Sequence, residues 1–251
     1  MTHRLLRRSF LALLGSAGIA SATPVPPTGT VYVIGNSFVR RHDAGKILGQ
    51  LITHAGSLNT VHTRARDNAW LADHLENGAI LGDLRDLQPR WVVLQDHSLA
   101  ALTPEGRERS MKAVHGILNE TSACPVFLTP WARIQGHGLY SRPGMPDGPE
   151  EMSERTEAHY DALATEFNGY VAPVASGWHN LTTNGFRLHA EDGYHANRAG
   201  AWFVAMVLTA SFGMDPRWGA PVELAGLSNL AKLHVPYAAE CEQPVRSTVG
   251  S

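Results

Sequence analysis

The sequence predicts a three-layer α/β/α sandwich around a central parallel sheet of about five strands, a flavodoxin-like arrangement. Three observations carry the prediction. Short, continuous apolar runs recur along the chain, segments with helical periodicity lie between them, and the residues able to do chemistry fall just past the ends of the runs. Continuous rather than alternating apolarity suits strands covered on both faces. Strand and helix in alternation close a parallel sheet through right-handed crossovers.

The predicted strands are Val31–Ile34, the weaker Asn59–Thr63, Trp91–Leu94, Val126–Leu128 and Tyr170–Val174. Between the first two, Ala44–His54 gathers Ile47, Leu48, Leu51 and Ile52 on one helical face. Pro104–Glu120 opens with Thr103 as N-cap and Pro104 in the first turn. Glu150–Phe167 carries Met152, Tyr160, Leu163, Ala164 and Phe167 as its apolar side, and Ala196–Phe212, the most apolar helix, is predicted to pack tightly on the sheet. Residues 135–149, rich in Gly and Pro, read as a long irregular loop over the functional edge and as a lid that shapes a substrate site. The segment after about residue 216 is expected to wrap the outside of the domain.

Residues 1–22 combine a basic start, a short apolar core and Ala20-Ser21-Ala22, the pattern of a secretory signal cleaved after Ala22. The apolar run is shorter than the roughly 20 residues needed to span a bilayer, so no stable membrane span is expected. Arg7-Arg8-Ser9-Phe10-Leu11 resembles a twin-arginine export signal, with an ordinary Sec signal or a membrane-tethered helix as the other readings. The expected destination is the bacterial periplasm or the exterior. Residues 23–29 then form a linker, and 30–251 form one domain. Removing Arg4, Arg7 and Arg8 moves the formal charge from −2 to −5, which gives no sign of a nucleic-acid partner. Two cysteines, Cys124 and Cys241, leave a disulfide open in an oxidising compartment and show no zinc-site spacing.

Two short stretches carry the chemistry. Thr30 to Ser37 is an apolar strand running into a tight turn, Gly35-Asn36-Ser37. Asp192-Gly193-Tyr194-His195 sets a carboxylate three residues before a histidine, just ahead of the last helix. A serine hydroxyl is a weak nucleophile until a neighbouring base takes its proton. His195 is the base, and Asp192 would hold its tautomer and stabilise the imidazolium. Singly, Ser37 reads as a helix cap and His195 as a surface histidine. Together, in this order, they read as a catalytic triad.

These blocks resemble those of the SGNH (GDSL-like) hydrolase superfamily. Its Gly-Asp-Ser block reads Gly35-Asn36-Ser37, and its Asp-x-x-His block reads Asp192-Gly193-Tyr194-His195, followed by Asn197 and Gly200. The similarity runs through Trp91–Ser98 and Val171–Val174 and covers most of residues 30–215. It implies a serine esterase working through an acyl-enzyme with no cofactor. It also implies an oxyanion hole built on the Ser37 N–H, a second backbone N–H and a side-chain amide. The chain departs from the usual pattern there: Gln95 stands in the region of the usual asparagine, and Asn68 (or Ala69) in that of the usual glycine. His97 and Trp131 are expected to line the substrate site. The implied partner is a small-molecule or polysaccharide ester, with O-acetyl groups on carbohydrate favoured. An acyltransferase with the same triad and an inactive carbohydrate-binding protein on the same fold are the rival readings. Thirteen histidines raise the question of a metal, but none forms a His-x-x-x-His pair with a nearby carboxylate, and none is expected to bind one.

Overall fold

A computed structural model of the chain describes residues 29–57, 59–217, 220–221 and 224. The predicted signal and Cys241 lie outside the described residues, and with Cys241 the question of its pairing with Cys124.

Five strands form one sheet in the order β2-β1-β3-β4-β5, every neighbouring pair parallel. They are β1 (Thr30–Gly35), β2 (Thr60–Ala65), β3 (Trp91–Leu94), β4 (Cys124–Leu128) and β5 (Tyr170–Ala172). Successive side chains on β1 go to opposite faces. Val31 and Val33 join one core with α2 (Ala44–His54) and α8 (Arg198–Ser211), while Tyr32 and Ile34 join the other with α3 (Leu71–Asn77) and α4 (Ala79–Leu87). The second core also takes α5 (Pro104–Leu118) and α6 (Pro149–Glu166), and the first takes α7 (Val174–Thr183). Burial on both faces explains the continuous apolarity of β1, β3 and β4. The edge strand β2 is largely exposed, as its weaker sequence suggested.

Helix α2 has the predicted bounds, and α5 and α6 lie within two residues of theirs. Three differences have physical reasons. The run read as a strand to Val174 stops at Ala172, because Pro173 ends the ladder and opens α7. Helix α8 starts at Arg198, capped by Asn197 through Gly200 N–H at 2.9 Å, so His195 sits on the loop before the helix. That loop is pinned by the antiparallel bridge His189–Ala196. Ser37 opens a short helix, α1 (Ser37–Arg40), capped by Asn36. Past residue 216, Ala220 and Leu224 pack on the core.

Candidate active site

The carboxyl ends of β1 and β3 and the loop before α8 meet at one edge. Ser37 Oγ lies 2.9 Å from His195 Nε2, and His195 Nδ1 lies 2.7 Å from Asp192 Oδ2. Facing a carboxylate, Nδ1 carries the proton, which leaves Nε2 as the acceptor for the serine hydroxyl. The pair is short-range by construction. Asp192 Oδ1 accepts the backbone N–H of Tyr194 at 3.2 Å and of His195 at 3.0 Å, an Asx-type turn that fixes the carboxylate to its own loop. Gly193 takes a left-handed φ of 74° there, and a Cβ would meet Ile134 Cδ1 at 2.6 Å.

Burial opposes ionisation of Asp192, but hydrogen bonds from the His195 N–H, the His195 ring and the Tyr194 N–H outweigh it and hold the carboxyl well below the usual range. His195, only 3% exposed, moves below its ordinary 6.5 because burial outweighs the Asp192 hydrogen bond, and the Arg41 cation adds to the shift. Arg41 Nη1 itself donates to Asp192 Oδ2 at 3.0 Å. The residue just after it, His42, and Asp43 both hold left-handed backbone, with φ of 56° and 52°, at the bend between α1 and α2.

The turn beneath Ser37 is cross-linked. Asn36 Oδ1 caps the Phe38 N–H at 3.0 Å, while Asn36 Nδ2 reaches the carbonyls of Ala69 at 3.1 Å and Asp96 at 3.4 Å. Gln95 corrects the expectation placed on it. It is 1% exposed, its Oε1 accepts the Asn36 N–H at 3.0 Å, and its Nε2 donates to the Asp96 carbonyl. Both ends of the amide are thus committed under the turn, and Gln95 does not line the cavity. Trp131 is a second correction. It is 1% exposed, stacked 4.1 Å from Trp178 and packed 4.5 Å from Phe38, and its indole N–H donates to the Tyr194 carbonyl at 2.9 Å. It supports the histidine loop from below and touches no substrate space.

Asn68 and His97 do line the cavity over Ser37, whose volume is about 510 Å³. Asn68 holds a left-handed φ of 58°. The ring of His97 stacks on Trp70 at 4.7 Å with an interplanar angle of 7°. Its Nδ1 accepts the Leu99 N–H at 3.3 Å, so its proton is on Nε2, which donates to Asn68 Oδ1 at 3.1 Å. Burial, helped by the Arg133 charge, lowers its pKa and keeps the ring neutral. Among the described residues no acceptor meets the backbone N–H of Ser37 or of Asn68. Buried Asp96 ties these loops together, its Oδ1 accepting the N–H groups of Leu71 at 2.9 Å and His97 at 2.7 Å. The loop read as a lid contributes His137 and Arg142 to the same cavity, beside Arg133. No cluster of His, Cys, Asp and Glu able to hold a metal occurs among the described residues.

No protein-family model matches the sequence, and no curated protein does. Solved structures do. A protein of Slackia heliotrinireducens provisionally assigned to the SGNH hydrolases is 26% identical, with a TM-score of 0.62, over 72% of this chain and 97% of that one. A DUF4886-family protein of Bacteroides uniformis matches with a TM-score of 0.70 at 15% identity, over 82% and 94% of the two chains. A variant of the acetylxylan esterase of Geobacillus stearothermophilus matches with a TM-score of 0.57 at 15% identity, over 75% and 95%. Solved catalytic mutants of that esterase replace a serine, an aspartate or a histidine with alanine.

Proposed function

We propose that this chain, which belongs to the SGNH hydrolase superfamily and is a serine hydrolase of ester bonds, is an exported esterase that removes O-acetyl groups from carbohydrate through an acyl-enzyme. The observation that carries the reading is the continuous line from Ser37 Oγ through His195 to Asp192. As Ser37 Oγ attacks the carbonyl carbon, its proton passes to His195 Nε2. The ester C–O bond then breaks, the departing alcohol takes that proton, and acetyl-Ser37 remains. Water repeats the sequence, giving acetic acid and free Ser37, with no change of oxidation state and no cofactor.

In this reading the oxyanion is held by the backbone N–H groups of Ser37 and Asn68, and His97 Nε2–H fixes the Asn68 side chain beside them. The support is that both backbone donors lack acceptors among the described residues and that Ser37 and Asn68 both line the cavity. A preference for acetyl is supported by the polar Asn, His and Arg side chains that line the cavity. The acetylxylan esterase with the same fold supports it by analogy. Export rests on the sequence of residues 1–22 alone.

A fluorophosphonate probe is expected to label the wild type and to leave Ser37→Ala unlabelled. An unlabelled, folded wild type would overturn the esterase reading. Across a 4-nitrophenyl ester series from acetate to palmitate, kcat/KM is expected to fall steeply with chain length. A rise with length would exclude acetyl as the preferred group.

A further inference from the structure

The Ser37 cavity holds more positive charge than its chemistry uses. Of the charged side chains around it, Asp192 is paired with His195 and Arg41, and Asp67 with Arg40. Arg133 and Arg142 also line it, and neither forms an ion pair among the described residues. Arg133 is half-buried and its Nε is buried without a partner. Its guanidinium lies over the Tyr194 ring at 4.9 Å.

The one polar side-chain contact of Arg133 among the described residues sharpens the point. Arg133 Nη1 lies 3.4 Å from His137 Nε2. His137 Nδ1 already accepts the Leu139 N–H at 3.0 Å, so the His137 proton sits on Nε2. Two N–H donors therefore face one another with no acceptor between them. Burial and the charges of Arg133 and Arg142 push the His137 pKa down against Asp192, and burial lowers that of Arg133, with Arg142 acting in the same sense and Tyr194, Tyr140 and Asp192 opposing. Like charges and donors gathered in a concave site raise the free energy of the empty protein and attract an anion.

We infer that Arg133, His137 Nε2–H and Arg142 form an anion subsite beside Ser37, which receives a carboxylate or other anionic substituent of the ester substrate. The inference rests on the esterase reading and narrows its substrate class. The anion can sit on the alcohol or on the acyl side of the scissile bond. Arg133 also lines the larger open groove of about 990 Å³ next to the catalytic cavity, so a saccharide extending from the bond would pass beside it.

Two matched pairs test the subsite. Acetylated methyl glucuronoside against acetylated methyl xyloside places a carboxylate on the alcohol side. 4-Nitrophenyl hemisuccinate against 4-nitrophenyl butyrate places it on the acyl side. In one pair kcat/KM is expected to favour the anionic ester by about 10-fold at low salt, with the preference shrinking as salt rises. Arg142 is exposed, so Arg142→Glu is expected to fold and to reduce that preference to about 1 or below. No preference in either pair, or a preference that Arg142→Glu leaves intact, would overturn the subsite. Ser37-dependent hydrolysis of the neutral esters, followed in the same assays, reports on the esterase reading separately. Calorimetric binding of free glucuronate to Ser37→Ala, lost in Ser37→Ala/Arg142→Glu, probes an alcohol-side subsite without turnover.

Discussion

At the scale of single residues, the protonation of His195 sets the acidic limit of the proposed reaction. The base must be neutral, and its pKa is depressed below 6.5 by burial and the Arg41 cation against the opposing Asp192 hydrogen bond. Hydrolysis of 4-nitrophenyl acetate is therefore expected to rise with pH through an apparent pKa below 6.5 and to hold level through neutrality. Arg41→Ala removes a charge that disfavours the imidazolium, so the acidic limb should move to higher pH; a limb that stays put would count against this assignment. His97→Ala removes the hydrogen bond that fixes Asn68 and should lower kcat more than it changes KM, the signature of a misplaced oxyanion donor. His97→Asn, which keeps an N–H donor, should recover part of it. The triad was legible because Asp192 and His195 share one turn and Ser37 follows a strand. Gln95 was not, because its fate is decided by the Asn36 N–H, an acceptor-seeking group 59 positions away. Arg133, His137 and Arg142 carry no periodic or motif signal. Only the folded loop brings them beside Ser37.

At the scale of elements, the start of α8 shows how closely backbones approach near the site. A Cβ on Gly200 would lie 2.4 Å from the Leu188 carbonyl oxygen and 2.4 Å from the Trp178 ring. Gly200→Ala is therefore expected to destabilise the fold by about 1–3 kcal/mol, read as a lower Tm. Activity should suffer too, since Trp178 stacks on Trp131 and Trp131 holds the Tyr194 carbonyl. A Tm equal to wild type would show that α8 can shift without strain. Five strands and four of the helices were legible from apolar runs and periodicity. Helices α1, α3, α4 and α7 were not. Helix α1 is 4 residues long and α3 is 7, and α7 begins directly after Pro173 with a glycine and three threonine or asparagine residues in its short length, so local propensity argues against it. Packing of Val174, Ala175, Trp178 and Leu181 into the core overrides that propensity.

At the scale of the whole molecule, the proposed export signal and its linker lead into β1, which runs into the turn that carries the nucleophile. Replacing Arg7 and Arg8 together by lysine in the full chain is expected to retain esterase activity inside the cell, measured by fractionation. Undiminished export would point instead to a route that does not read the arginine pair.

The span between Ser37 and His195 has a further consequence. The two side chains that touch are 158 positions apart, and α8, which follows the histidine loop, packs on α2 near the beginning of the domain. A nascent chain or fragment lacking its last quarter holds Ser37 without a base, chemically inert. Reactivity is thus a timer for the last docking event in folding. In refolding from denaturant, covalent capture by a fluorophosphonate should lag behind secondary structure and appear only when the histidine loop seats over the serine.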